Sequence, residues 1–165
     1  MLKGKEVTLT DMLYCRERRA SLQTELIQTY HCPVLSFCMN IPGPVKTTEQ
    51  IQQAFEQGVN ELIRQFEAKQ IPVLYKIAFH ETTGDELLWA VNYPASELKE
   101  ITVFIEENHP RGRLFDMDVI DVDGKKISRG TYRKCLICGC QAQECASSRR
   151  HTVAQMQEAI QLLLQ

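Results

Sequence analysis

The sequence has no marked excess of charge of either sign: 19 Lys and Arg stand against 21 Asp and Glu, a formal net charge of −2. No global field therefore draws nucleic acid or an anionic membrane surface, and an anionic ligand must be gripped by a local cluster of cations. No apolar run approaches the length of a membrane span, and Met1-Leu2-Lys3-Gly4-Lys5-Glu6 lacks the apolar stretch of a signal peptide, so a cytoplasmic protein is expected. Repeats, low-complexity tracts and long linkers are also missing, and residues 1–165 are expected to form a single catalytic domain. The Gly-x-x-x-x-Gly-Lys-Ser/Thr spacing of a P-loop is absent. Asp121-Val122-Asp123-Gly124 fails as a calcium loop, because its first ligand position would be Val119 and its last Gly130. Seven cysteines are an odd number in a domain large enough to fold unaided, which argues against a disulfide framework. At 44% hydrophobic and 24% charged, the composition is that of a compact globular protein.

What the chain does contain reads as α+β. Thr10–Tyr30 is rich in helix formers with a sparse apolar stripe and predicts a long, largely exposed helix. Val34–Ile41 alternates as a strand and stops at Pro42-Gly43-Pro44. Thr47 and Gln50 have capping-box spacing ahead of Ile51, Ala54, Phe55, Val59, Leu62, Ile63 and Phe66, an amphipathic helix. Val73–His80 and Leu87–Tyr93 predict a hairpin through Thr82-Thr83-Gly84-Asp85. A short helical turn at Ala95–Lys99 is expected to precede a strand at Ile101–Glu107, and the turn at Asp123-Gly124 is expected to return Lys126–Arg129 as a partner of the strand before it. Thr152 caps a last helix with Val153, Met156, Ile160 and Leu163 on its buried side. The sum is a mostly antiparallel or mixed sheet of about five to six strands with about four helices.

The chemistry concentrates in Pro110-Arg111-Gly112-Arg113-Leu114-Phe115-Asp116-Met117-Asp118-Val119. In a strand Asp116 and Asp118 share one face while Phe115, Met117 and Val119 point the other way. Two carboxylates on one face suit Mg²⁺ held together with substrate phosphates, and the alternative is a solvated acidic edge strand. Gly112 lets the backbone turn, so that Arg111 and Arg113 can both reach the space above the aspartates; pairing with Glu106, Glu107 or the aspartates is the competing role. His109 is a candidate general base or phosphate contact, or a hydrogen-bonded turn residue. Lys46, just ahead of a helix N-terminus, adds positive charge where an anion is favoured, or is a solvated turn lysine. Cys135, Cys138, Cys145 and His151 form a possible structural zinc set, though the second pair lacks the compact spacing of a standard finger. Packing of reduced thiols is preferred over zinc there, and a redox pair comes last. Arg129, Arg133, Lys134, Arg149 and Arg150 surround the segment and are candidates for the same anion.

Three ordered blocks together resemble the citrate lyase holo-acyl-carrier-protein synthases, the apo-citrate lyase phosphoribosyl-dephospho-CoA transferases. They are Ser36-Phe37 through Pro42-Gly43-Pro44-Val45-Lys46; His109 to Val119; and Arg133-Lys134-Cys135-Leu136-Ile137-Cys138 with Ala142, Cys145, Ala146 and His151. Ser147 departs from the family pattern, which has an arginine there, and Arg149 or Arg150 can compensate. The resemblance implies a nucleotidyltransferase-like fold and reaction: transfer of 2′-(5″-triphosphoribosyl)-3′-dephospho-CoA to a serine of the apo-acyl carrier (gamma) subunit of citrate lyase, with release of diphosphate. It implies Mg²⁺ at Asp116 and Asp118 and cations, Arg113 among them, on the diphosphate, with no role for nucleic acid or membrane. The donor-synthesising step is expected to belong to another protein. Two alternatives remain open: a non-catalytic zinc-containing adaptor of the lyase, and a nucleotidyltransferase for another carrier such as that of malonate decarboxylase.

Overall fold

The alternating run that starts at Val34 becomes the centre of the sheet in the computed structural model, which describes residues 1–165. Strand β1 (Val34–Met39) pairs on one side with β3 (Gly84–Val91) and on the other with β4 (Phe115–Ile120). Beyond β3 lies β2 (Val73–Glu81), giving the order β2-β3-β1-β4 with every pairing antiparallel. The helices are α1 (Leu9–Tyr30), α2 (Glu49–Lys69), α3 (Ala95–Asn108), α4 (Ala142–Ser147) and α5 (Val153–Leu163).

Period-two alternation divides the sheet into two faces. Leu35, Phe37, Leu87, Trp89, Phe115, Met117 and Val119 meet Phe55, Leu62 and Phe66 of α2 and Leu98, Ile101 and Ile105 of α3 in the main core. The opposite face is covered by α1, whose Leu26 packs on Val34 and Leu88. A smaller core of Leu2, Ile41, Val45, Ile51, Leu114, Ile160 and Leu164 joins the N-terminal segment, the proline loop, the start of α2 and α5. Gly58 on α2 permits the close approach of these layers, since a Cβ there would lie 2.6 Å from the Phe37 ring. No helix is long and apolar enough to cross a membrane.

Four strands form where about five to six are expected, and five α-helices where about four are expected. Ala95–Lys99 and Ile101–Glu107 are one helix, α3, not a turn and a strand. Its β-branched residues favour a strand locally, but Ala95, Leu98, Ile101 and Ile105 recur at helical spacing and bury together against the sheet, and that tertiary packing overrides propensity. Lys126–Arg129 returns as expected around Gly124 (φ 79°), yet pairs with β4 through a single bridge, Ile120 to Lys126, before Arg129 turns away to Glu107. The additional helix is α4, within the Cys-rich segment.

One cap also shifts, and the other forms as expected. Thr48, not Thr47, caps α2 by accepting from Ile51 N–H at 3.3 Å, so the Gln50 box does not form. Thr152 caps α5 with Gln155 in a full capping box, but Val153 is 50% exposed, and Gln157 takes the buried position one turn on.

Candidate active site

The register of β4 on β1 and of β1 on β3 sets Asp116, Cys38 and Glu86 in one row across three strands, with Asp118 opposite Ser36 in the next. All project from the face that carries α1, so Asp116 and Asp118 share a side as the alternation predicts. Because α1 packs on β1 and β3, the β4 end of that face is left only partly covered, and both aspartates remain partly accessible. Lys126 Nζ pairs with Asp118 Oδ2 at 2.9 Å. Asp116 has no ion-pair partner; its carboxylate accepts a long contact from the Cys38 thiol at 3.9 Å. Burial, and then Asp118, hold the Asp116 carboxyl above its ordinary range, against the pull of Arg133, Lys126 and Arg19. Burial pushes the Cys38 thiol up to about 12, so it is a neutral neighbour and not a nucleophile. Glu86 is only 2% exposed and is balanced by Arg18 at 3.0 Å and Arg19 at 2.7 Å from α1.

Three cavities meet around the start of β4. The smallest, about 170 Å³, is lined by Asp116, Glu86, Arg16, Arg19 and Lys46 among others. Lys46 Nζ donates to Ile41 C=O at 2.6 Å, and burial, with Arg16 nearby, lowers its pKa. Asn40 borders both this cavity and a cleft of about 810 Å³ whose wall mixes Arg113, Arg133, Arg149 and His151 with Leu114, Leu136, Val153, Met156 and Ile160. Arg113 and Arg133 are shared in turn with a third cavity of about 540 Å³ that includes Arg129 and Lys134. Burial, Arg133 and Arg129 lower the Arg113 pKa against the weaker pull of Cys135 and Glu106, and its guanidinium makes no hydrogen bond or ion pair. An unpaired guanidinium crowded by two others is a site suited to an anion. Arg133 is partly committed, since its Nη2 donates to the carbonyls of Gly112, Arg113 and Phe115 at 3.4, 3.2 and 2.8 Å and so fixes the 3₁₀ turn Gly112–Leu114.

Arg111 does not reach the aspartates. Its guanidinium donates to Gln57 Oε1 at 2.6 Å and to Leu163 and Leu164 carbonyls at 3.3 and 3.1 Å, tying the end of α5 to α2. In a 3₁₀ turn residues two apart diverge, so Arg111 and Arg113 leave on different sides of Gly112. His109 lies on the core side: its Nδ1 accepts from Arg111 N–H at 3.0 Å, its ring meets Phe115, and burial lowers its pKa. Arg129 serves Glu106 and Glu107, and Arg150 lies against the Cys138 thiol. Cys135, Cys138, Cys145 and His151 do come together, with ligand atoms all within 4.8 Å of one another.

Glu86, Arg16 and Arg19 were not singled out from the sequence. The available signal was Asp85-Glu86 opening an apolar strand, where acids are depleted, and the basic run Arg16 to Arg19 on a helix otherwise read as exposed.

A protein-family model described as apo-citrate lyase phosphoribosyl-dephospho-CoA transferase matches residues 7–165. A relative from Streptococcus pyogenes named as a probable transferase of that description is 36% identical over 169 residues, covering 98% of this chain and 87% of its own. One from Escherichia coli with that name is 32% identical over 163 residues, covering 96% and 88%. One from Vibrio cholerae, also named as probable, is 38% identical over 155 residues, covering 89% and 85%.

Proposed function

This chain belongs to the apo-citrate lyase phosphoribosyl-dephospho-CoA transferase family, and from that premise we propose that it transfers 2′-(5″-triphosphoribosyl)-3′-dephospho-CoA to a serine of the apo-acyl carrier (gamma) subunit of citrate lyase, releasing diphosphate. The serine oxygen bonds to the phosphorus next to the ribose, the bond from that phosphorus to the departing diphosphate breaks, and the serine proton passes by way of a carboxylate to solvent. Asp116 and Asp118 flank this event, one of them orienting the hydroxyl. Lys46, Arg113, Arg129, Arg133 and Arg149 hold phosphate oxygens, with Arg113 on the leaving diphosphate. The apolar part of the larger cleft suits the adenine and pantetheine portions of the donor. His109 and Arg111 act by holding the turn and α5 in place. An acidic pair on a strand of an antiparallel sheet is consistent with a nucleotidyltransferase-like architecture.

Hard oxygen donors, one of them unpaired and disfavoured as an anion by burial and by its neighbour, fit a divalent cation. Mg²⁺ bound by Asp116 and Asp118 would draw charge from the phosphoryl oxygens and the leaving group. The observation that most supports the reading is the unpaired Asp116 beside a connected set of cation-lined cavities that include the unpaired Arg113. The relatives' transferase names speak against a non-catalytic adaptor and for the citrate lyase carrier over that of malonate decarboxylase. The test is to mix the protein with donor, Mg²⁺ and purified apo-carrier and weigh the carrier. A mass gain on the serine-bearing subunit, lost in Asp116→Asn and Asp118→Asn, is expected; no gain with the wild type refutes the assignment.

A further inference from the structure

We propose that Cys135, Cys138, Cys145 and His151 bind one Zn²⁺ in a closed tetrahedral site that fastens the wall of the larger cleft. The inference stands on this segment alone and does not depend on the transfer reaction. The four ligand atoms lie within 4.8 Å of one another, with Cys138 and Cys145 sulfurs 3.4 Å apart, and tetrahedral coordination at about 2.0–2.3 Å from a central ion, which sets ligands about 3.3–3.8 Å apart, requires only small shifts.

The local backbone is built for it. Cys135 N–H donates to Cys140 C=O, Gly139 N–H donates to Cys135 C=O at 3.1 Å, and Gly139 takes a left-handed φ of 72°, so residues 135–140 form a tight knuckle presenting two thiols to one side. Ile137 N–H points at Cys135 Sγ at 3.5 Å, the kind of contact that favours a thiolate. The third thiol comes from α4 and the imidazole from the segment after the left-handed Arg149, so three separate pieces of chain converge on one point. His151 Nε2 is buried with no hydrogen-bond partner, an arrangement that is costly without a ligand or proton partner. Three thiolates and a neutral imidazole around Zn²⁺ leave one negative charge, and Arg150, against Cys138 and within Coulombic reach of Cys145, balances it.

Burial gives the independent argument. From Asp121 to Met156 the only buried residues are Cys135 and Cys145. A stretch this long with two buried side chains has too little apolar burial to offset the entropy of ordering it. Both of those side chains are the proposed ligands. Packing of reduced thiols as small apolar residues, the preference from spacing alone, leaves the ordered segment unexplained. With four protein ligands there is no open position, so the ion is structural. Its effect on function is positional: Cys135, Cys145 and His151 border the cleft alongside Arg133 and Arg149.

Zinc content of the full chain, expressed with zinc and purified without chelator, is expected to be about one ion per chain. The Cys138→Ser/Cys145→Ser double variant is expected to retain about a tenth or less, whereas Cys140→Ser and Cys32→Ser retain it fully. Cobalt added to chelator-stripped wild type is expected to give the thiolate charge-transfer and visible bands of a tetrahedral sulfur-rich site. Hydrogen exchange of the wild type avoids reliance on variants: stripping should raise exchange across residues 130–152 and leave the sheet amides protected. Wild type that takes up no zinc when it is supplied, a Cys138–Cys145 disulfide in its place, zinc content unchanged in the double variant, or no local rise in exchange on stripping would each overturn the proposal.

Discussion

Strand β4 is an edge strand, and the outward-facing N–H and C=O of Met117, between its two aspartates, are held from α3 and not by another strand. Glu106 Oε1 accepts from Met117 N–H at 2.9 Å, and Lys99 Nζ donates to Met117 C=O at 3.0 Å. Glu106 is 4% exposed, and Arg129 Nη2 stands 3.6 Å from its other oxygen. Glu106→Ala leaves the buried Met117 N–H unpaired, worth about 1–3 kcal/mol, and empties the space of a buried side chain, a loss of about 2–5 kcal/mol. The two losses arise at one side chain and do not simply add, so a total of about 4 kcal/mol is expected, or about 10 °C in Tm at this chain length. Glu106→Gln keeps a carbonyl acceptor for Met117 and should cost about 1 kcal/mol or less. Burial already holds the Glu106 carboxyl above its usual range, outweighing Arg133, Lys99 and Arg129, so losing the charge also removes a penalty. A raised carboxyl contributes its stability below the ordinary carboxylate range and loses it as pH rises through the folded value; Gln should therefore gain on wild type as pH rises above the ordinary carboxylate range. Because Asp116 and Asp118 flank Met117, the Ala variant should also lose about 10²-fold in turnover at temperatures where it is folded, with Gln close to wild type. Thermal melts across pH and carrier mass gain measure both effects. Equal melting temperatures for Ala and Gln would refute the claim that α3 holds the acidic strand in place.

Asp116→Asn should raise the Tm of the metal-free protein, increasingly so as pH rises above the carboxylate range, while lowering transfer by about 10²-fold or more; a lower Tm at neutral pH would show the carboxylate to be structurally required. Arg113→Ala should leave stability within about 0.5 kcal/mol, because the guanidinium has no partner to lose, yet raise the donor KM about 10–100-fold, read from melts and initial rates. Gly112→Ala should cost about 3 kcal/mol in denaturant unfolding, since its Cβ would overlap Glu106 C=O and stand 2.7 Å from Ile105 C=O, backbone atoms at the end of α3 that cannot step aside.

Alternation and helical spacing made the sheet core legible: Leu35, Phe37, Phe115, Met117 and Val119 all point where their parity puts them. Helix α3 was not legible because its β-branched residues and its helical burial pattern conflict, and only the sheet it packs against decides between them. The same limit acted on the site. Asp116 and Asp118 lie on one strand, so local parity was sufficient, whereas Arg111 and Arg113 lie in a 3₁₀ turn whose rotation sends neighbours apart. Glu86 is 30 residues from its row partner Asp116, and Arg19 is farther still. Strand register and the docking of α1 join them, and neither can be read from spacing. From the sequence Gly112 signifies freedom to turn; its actual constraint is the carbonyl end of α3, a contact created by the fold.

The position of the acidic pair at the sheet edge has a consequence for an acceptor that is itself a folded protein. A serine hydroxyl extends only a short way from its backbone, so the reacting phosphorus must be presented near the surface, even though a large polyanionic donor favours a deep, cationic cleft. Those two demands conflict unless the carboxylates proposed to bind the metal sit where the cleft opens. Strand β4 meets both: α1 stops short of it on the acidic face, α3 secures its outer edge through Met117, and the cation-lined cavities begin beside Asp116 and at Arg113, just ahead of the strand. A central strand could hold the same Asp-x-Asp pair in register without help from Glu106 and Lys99, but its acidic face would then lie beneath α1, closed to a carrier subunit. The buried Glu106 and Lys99 are therefore what an edge position demands, and this is why their loss is expected to reach turnover as well as stability.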